Sequence, residues 1–595
     1  MSEDGSASSS DSDSTTIDPV TLEIIRNSLA SAAEEMGETL LRTAYSSVIR
    51  EARDCSTALF GPEGGLVAQA EHIPMHLGSM PYALSENSEL ANDLEEDEIL
   101  LFNDPYHGGQ HIMDIIAFQP VFIDDERIGF AGSIAHHIDM GGGGAASLNP
   151  EVATTYGEGF RFRPLRLTTD TEAYDVFLDI LATNVRASEY VIGDFKAQLS
   201  ANRRGVERLR EIATKYGTDI YATALNELDA YAERFMRSRL VSLPNATATG
   251  TETVEIDEPP AVAEADTTVH VEVTINHDDI TVDFDGTASE VAGYINSPIA
   301  STYSAAYFAV LAAIGGSDLP VSSGIYRPIH IDIPEGTLVN PSEPTATRAR
   351  MKTCCRVFDA VLQALAVIAP DIVPASAFNS TTPIVFAKQF DDTTEVFMDL
   401  PGGGWGGFAG GDGAPATTNP LENEMNIPVE AIEQDHPWLR VSEYQLRTDS
   451  GGIGEFRGGL GVRRVFEIVH GPVSGTGYTG RITNGSWGVR NGGPGVGATT
   501  ECVRTADYHE TLGTTWNIKL DTGDRVEVGM GGGGGYGDPA NRDIVAIAQD
   551  VAADFVSFEA AQQNYGVEPS KLRDSLRIVL GTAYEAYADN RNWEG

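Results

Sequence analysis

Glycine decides what the last third of this 595-residue chain can become. Clusters at 402–413, 451–461, 492–497 and 529–537 recur between short β-like runs. Glycine in a helix interior costs ~1 kcal/mol relative to alanine. The stretch is therefore read as strand and loop, ending in a helix near Ser570–Tyr587. Gly402, Gly404 and Gly407 formally match G-x-G-x-x-G, but Pro401 before them and Phe408-Ala409 after them do not read as strand then helix. No G-x-x-x-x-G-K-[ST] is present. The glycines are expected to form turns and close backbone contacts, and the chain is not expected to bind ATP itself.

The N-terminal part has a different texture. Residues 1–16 are Ser/Asp-rich and read as a disordered acidic tail. Asp18-Pro19 is a helix start. Apolar residues then recur at Leu22, Ile25, Leu29, Ala33, Met36, Leu40, Ala44 and Val48, which predicts one long amphipathic helix delivering Arg50–Ser56 at its end. Strands are expected at Ile99–Phe102, Ala117–Ile123 and Ile128–Ala135, and helix again over 176–242. Val269, Val271, Val273 and Ile275, then Ile280, Val282 and Phe284, alternate about a turn at Asn276–Asp279 and predict a hairpin. Residues 299–315 and 355–369 read as buried helices. The expected class is α+β (mixed α/β) and multidomain. Its divisions are a mixed α/β domain at 17–245, an α/β domain with the hairpin and buried helices at 246–400, and a glycine-rich β domain with a C-terminal helix at 401–595.

Charge narrows the partners. With 39 Lys+Arg against 88 Asp+Glu the net charge is −49, and only six of the cations are lysine. Such a field repels phosphate backbones and anionic lipid, so neither nucleic acid nor a membrane is expected as a partner. Abundant carboxylate with scarce lysine is read as adaptation to a salty, halophilic cytoplasm. No run of ~20 apolar residues and no signal peptide is visible. The four cysteines, Cys55, Cys354, Cys355 and Cys502, are expected to be free buried thiols.

Histidine is unevenly placed: six of twelve (His72, His76, His107, His111, His136, His137) fall within 66 residues. They travel with Asp104, Asp114 and Asp139 in Asn103–Asp114 and Ala135–Met140. A divalent metal with open positions needs neutral imidazoles and a carboxylate converging from separate segments. His111, Asp114 and His136 could supply that set, provided that His111 and Asp114 share a turn, because residues three apart on a strand face opposite ways. The other reading is a group of structural, hydrogen-bonded histidines. Arg348, Arg350, Arg457 and Arg481, close to glycines or in glycine-rich surroundings, are read chiefly as loop braces.

The chain resembles the hydantoinase B/oxoprolinase family over about 17–569. The likeness rests on Asp18-Pro19-Val20, Arg50–Ser56, Ala68–Met80, Asn103–Asp114, Ala135–Gly142, Asn184-Val185-Arg186, Gly193-Asp194, Asp283–Thr287, Asp449–Gly461, Gly532–Pro539 and Tyr565-Gly566-Val567. The resemblance implies a division of labour. An actin-like ATPase A subunit phosphorylates the amide oxygen of a cyclic amide (hydantoin, 5-oxoproline or a lactam), and the B-type chain opens the ring with water. It also implies one divalent metal, Mn or Zn before Fe or Co, on His111, Asp114 and His136. Asp54 is then the expected general base, or an acid behind the ligands, with Asp139 and His137 orienting the ligands. Two alternatives are an acetone-carboxylase-like carboxylase subunit and a non-catalytic scaffold for the ATPase.

Overall fold

The first helix runs Pro19–Thr43, with Asp18 Oδ1 accepting the Val20 and Thr21 N–H groups. It stops short of the expected Val48. The backbone N–H groups of Tyr45 and Ser46 donate to Asp194 Oδ1 at 2.6 and 3.1 Å instead of to carbonyls one turn back. A separate turn, Ser47–Arg50, is capped by Ser46, and Arg53, at φ 62°, swings the chain into the first strand. The computed structural model describes residues 17–591 except 77, 258–259, 317–318, 392, 423–424 and 506–507. The tail expected at 1–16 lies outside the described residues.

The first sheet holds β1 (Cys55–Phe60), β2 (Leu66–Glu71), β3 (Glu98–Phe102), β4 (Asp114–Ile123), β5 (Glu126–His136) and β6 (Leu165–Thr168). Its order is β2-β1-β5-β4-β3-β6, antiparallel throughout. β4 starts at Asp114, three residues before the expected strand. The Ser188–Tyr216 helix lies across β4 and β5 and against the first helix. Its Gln198 donates to the carbonyls of Ile115 and Ser133, and Asn202 to that of Ala117. Cys55 opens β1 and is buried; it does not end a helix, and burial pushes its thiol well up.

The second sheet, β7 (Ala246–Thr253), β8 (Thr268–Asn276), β9 (Asp279–Asp283) and β10 (Ile329–Asp332), contains the expected hairpin, with Asn276 opposite Asp279. The Arg350–Ile368 helix packs on β7 and β8, and Ile299–Ile314 packs on that helix. The remaining strands are β11 (Ile384–Gln389), β12 (Thr394–Asp399), β13 (Leu439–Leu446), β14 (Val462–Ile468), β15 (Val473–Tyr478), β16 (Thr499–Arg504), β17 (Tyr508–Leu512), β18 (Thr515–Leu520) and β19 (Arg525–Gly529). They form two sheets, β12-β11-β15-β18 and β13-β14-β19-β16-β17, the first drawing strands from both sides of residue 400.

The helix expected near Ser570–Tyr587 is two, Pro569–Leu580 and Tyr584–Asn590, and two more, Ile544–Ala552 and Phe558–Tyr565, precede it. Caps at Asp543 and Ser557, left-handed Gly566 and positive-φ Gly581 divide them, and one apolar cluster joins them. No helix among the described residues is long and apolar enough to cross a membrane.

The glycine clusters converge on one another. Along Gly532–Tyr536 successive N–H groups donate to Val496, Gly459, Ser376, Gly493 and Phe456. Residues 532 and 535 thus face one neighbouring segment, 533 and 536 a second, and 534 a third. A partner that recurs every third residue is the mark of an extended threefold helix with no internal hydrogen bonds. A β-strand turns only two ways. A Cβ on Gly532, Gly533, Gly534 or Gly535 would sit 1.9–2.0 Å from a carbonyl oxygen of Ser450, Trp405, Trp487 or Ile453. Gly404 and Gly407 bond into this array through Gly531 and Gly534, so the formal nucleotide pattern is structural.

Candidate active site and metal centre

Register builds the site. β5 pairs with β1 so that Ala135 faces Cys55, and with β4 so that His136 faces Asp114. One step along, the His136 N–H donates to the Asp54 carbonyl at 3.1 Å. Asp54, His136 and Asp114 therefore form one row across three adjacent strands, and a cross-strand row projects to one face. His111 joins them from a turn whose carbonyl accepts the Asp114 N–H at 3.0 Å, the turn that a shared site required.

All four side chains are buried. His111 Nδ1 lies 2.8 Å from Asp114 Oδ2 but without the alignment of a hydrogen bond, and Asp114 Oδ1 has no partner. His136 Nδ1 is likewise unpartnered, 4.0 Å from Asp54 Oδ2, and the two imidazole rings are 5.1 Å apart. Arg350 Nη2 donates to Asp114 Oδ2 at 3.0 Å and to Gln110 Oε1 at 2.8 Å. His76 Nδ1 meets Ser56 Oγ at 3.0 Å. Asp54, His76, His111, His136 and Arg350 border a cavity of about 40 Å³, closed further by Arg348, Glu422 and Tyr478. That is room for an ion and one or two waters, at ~10–15 Å³ each.

The electrostatics separate the groups by role. Burial holds His111 down to about 3, with Arg350 adding to the effect. Burial takes His76 to about 4, and burial with the His111 ring keeps His136 well below its ordinary value. The imidazoles are thus neutral lone-pair donors. Burial would raise Asp114, but His111 and Arg350 outweigh it and hold the carboxyl well below the usual range. Burial, then the Asp114 charge, pushes Asp54 well above it, and burial takes Glu422 to about 7.

The donor set fits a divalent cation. Orphaned buried polar atoms demand an explanation, and here they are two imidazole nitrogens and a carboxylate oxygen. Two ligands at ~2.1 Å from one ion and ~90° apart are ~3 Å from each other, close to the His111–Asp114 separation. Among the described residues, however, no group of three His, Cys, Asp or Glu side chains is already gathered tightly enough to hold an ion.

The other expected residues lie elsewhere. Asp139 is not beside the ligands: it accepts the Gly141 and Arg186 N–H groups and pairs with the Arg186 guanidinium at 3.0 Å. His137 follows His136 and faces the opposite side of the sheet. Burial lowers its value, and the charge of Asp194 and the Gln198 side chain act against that. Arg350, expected to brace a loop, lines the cavity, as does Arg348, which also donates to the Ala146 carbonyl. Arg457 and Arg481 do brace, against Asp550 and Asp359. Glu422 was not anticipated: it carries no motif, and long-range packing alone brings it to the cavity.

With this geometry in hand, comparison with known proteins is decisive for the family. Residues 18–539 match the family described as Hydantoinase B/oxoprolinase. A putative D-/L-hydantoinase subunit from Pseudomonas sp. (strain NS671) is 33% identical over 93% of this chain and 95% of its own length. The beta subunit of caprolactamase from Pseudomonas jessenii is 32% identical over 93% and 96%. The crystal structure of ATP-dependent caprolactamase from that organism superimposes with TM-score 0.84 at 29% identity, covering 93% of this chain and 96% of that one. Acetone carboxylase in its nucleotide-free structure gives TM-score 0.84 at 19% identity over 97% and 84%, a likeness of fold. The chain belongs to the hydantoinase B/oxoprolinase family.

Proposed function

We propose that this chain is the ring-opening subunit of an ATP-dependent cyclic amide hydrolase. Its substrate is a hydantoin, 5-oxoproline or lactam whose amide oxygen a separate actin-like ATPase subunit has phosphorylated. The observation that supports this most is the set of unpartnered buried donors, His111 Nδ1, His136 Nδ1 and Asp114 Oδ1, beside a raised carboxyl and two arginines. His111, Asp114 and His136 would hold one divalent cation, which when bound supplies charge to stabilise an oxyanion and to acidify water.

The chain's own residues do the rest. Asp54, whose carboxyl burial raises well above its ordinary value, takes the proton of the attacking water. Arg348 and Arg350 set positive charge on the cavity wall, where an anionic phosphoryl group needs it. Gln110, held by the Met75 carbonyl and Ser79 Oγ, fixes Arg350 in place. Water adds to the activated carbon, the ring nitrogen leaves with a proton to give an acyl phosphate, and a second water hydrolyses that to carboxylate and phosphate.

The test is reconstitution with an actin-like ATPase A subunit of this family. Ring opening is expected only with both chains and ATP. Hydrolysis by this chain alone without ATP contradicts the proposal, and a bicarbonate requirement with a ketone substrate would select the carboxylase reading.

A further inference from the structure

A second and larger cavity, about 690 Å³, lies beside the segment that carries His76, and the proposed reaction makes no use of it. Four tyrosines from three elements line it. Tyr82 comes from the Ser79–Glu86 helix, Tyr303 and Tyr307 from Ile299–Ile314, and Tyr326 from the turn Ser323–Tyr326. Their rings form a continuous wall. Centroids are 5.3 Å apart for Tyr82–Tyr303, 6.0 Å for the stacked Tyr303–Tyr307, and 4.7 Å for the edge-on Tyr307–Tyr326.

The charge on this wall has one sign. Glu63 and Asp332 line the cavity, and among its described lining residues there is no lysine or arginine. His330 also borders it, but its Nε2 is 3.2 Å from Asp279 Oδ1. Asp332 stands near enough to Tyr303 to add to the burial that raises that hydroxyl. Burial takes the Tyr307 hydroxyl up to about 12, so it stays a neutral donor. The Tyr303 and Tyr307 hydroxyls have no protein partner among the described residues.

Aromatic faces carry negative quadrupole charge, and a cluster of them attracts a cation that is poorly hydrated. Carboxylates at the rim add attraction without pairing each other. A small hydrated metal ion gains little from tyrosine faces, and an anion is repelled by both features. The volume suits an organic ligand. We propose that this cleft binds a compact organic ammonium ion, with the tyrosine faces around its alkyl groups and Asp332 and Glu63 at its charge.

Calorimetric titration of the full chain at fixed ionic strength tests it, with tetramethylammonium, choline and the neutral isostere 3,3-dimethylbutanol as probes. Saturable binding of both cations below about 10 mM is expected, with the neutral isostere at least tenfold weaker. Tyr307→Leu should weaken choline by about tenfold and Asp332→Asn by a few-fold. Asp332 is exposed on β10, so its variant keeps the test open even where the tyrosine variant fails to fold. No saturable binding of either cation, equal binding of the isostere, or choline affinity unchanged in Asp332→Asn overturns the proposal.

Discussion

The row Asp54–His136–Asp114 and the array Gly532–Gly535 solve opposite problems. In the row the backbone is an ordinary antiparallel sheet, and everything particular lies in the side chains. Pairing register brings three residues far apart in the chain onto one face. In the array the side chains are gone, and what is particular lies in the backbone, which meets a neighbour in every direction. The first region is expected to keep its fold when a histidine is exchanged, and to lose its chemistry. The second cannot accept one methyl group without a shift of backbone.

The largest expected effect breaks the second region. Gly534→Ala puts a Cβ 2.0 Å from the Trp487 carbonyl oxygen, backbone against backbone, with no flexible side chain to give way. Loss of more than about 4 kcal/mol and no folded protein by circular dichroism are expected. Gly336→Ala is the control: φ is 73° but nothing lies within 4 Å, so only backbone strain of about 1 kcal/mol should appear. A Gly534→Ala protein melting within about 5 °C of wild type would mean that the array is not close-packed.

The row should respond the other way. His136→Ala is expected to fold, to lose the bound cation by elemental analysis, and to lose turnover with it. Asp54→Asn should keep the cation and lose about 10²–10⁴ in rate. Full metal and turnover in His136→Ala would leave the histidines as structural residues.

These regions were unequally legible in the sequence. Helix periodicity, the 268–283 hairpin and the histidine clustering were all readable, because each is a local pattern. The glycine clusters announced loops, but their mutual packing is a contact among five distant segments and leaves no local trace. The turn at 111–114 followed from strand geometry. The alignment of Asp54 with His136 needed the β1–β5 register, which alternation alone does not specify. Asp194 ends the first helix after Thr43 from nearly 150 residues away, so apolar spacing carried the expectation too far. Glu422 sits in no pattern.

Charge acts on both regions alike. With −49 spread over the molecule, self-repulsion weakens the fold where screening is long-ranged. A melting temperature higher by on the order of 10 °C in molar salt than at ~0.1 M is expected, as the screening length drops from about 10 to 3 Å. Equal melting in both would remove the halophilic reading, and would leave the comparison of the two regions untouched.

The smallest effect is also the most specific to the row. In metal-free protein, His76, His111 and His136 have folded-state values below the unfolded ~6.5, so the folded chain binds fewer protons and stability falls as pH drops below ~6.5. Asp54, Glu158 and Glu422 have values above the unfolded ~4, burial being the first cause in each, and Glu158 and Glu422 reach about 7. Here the folded chain binds more protons, so stability rises as pH drops from about 7 to about 4.5. The two sets therefore oppose each other between about pH 6.5 and 4.5. Below that these three carboxyls are protonated in both states, the histidine loss remains, and Asp114, held well below its ordinary value, adds a further loss below ~4. Chelator-treated protein should therefore lose stability more steeply with falling pH below about pH 4.5 than above it. Glu422→Gln removes one carboxyl from the balance. Relative to wild type it should be more stable by up to ~3 kcal/mol at pH 8, a gain that shrinks to nothing by about pH 4.5. A stability difference between Glu422→Gln and wild type that does not vary with pH would show that Glu422 is solvated, and that the small cavity it closes is open to bulk water.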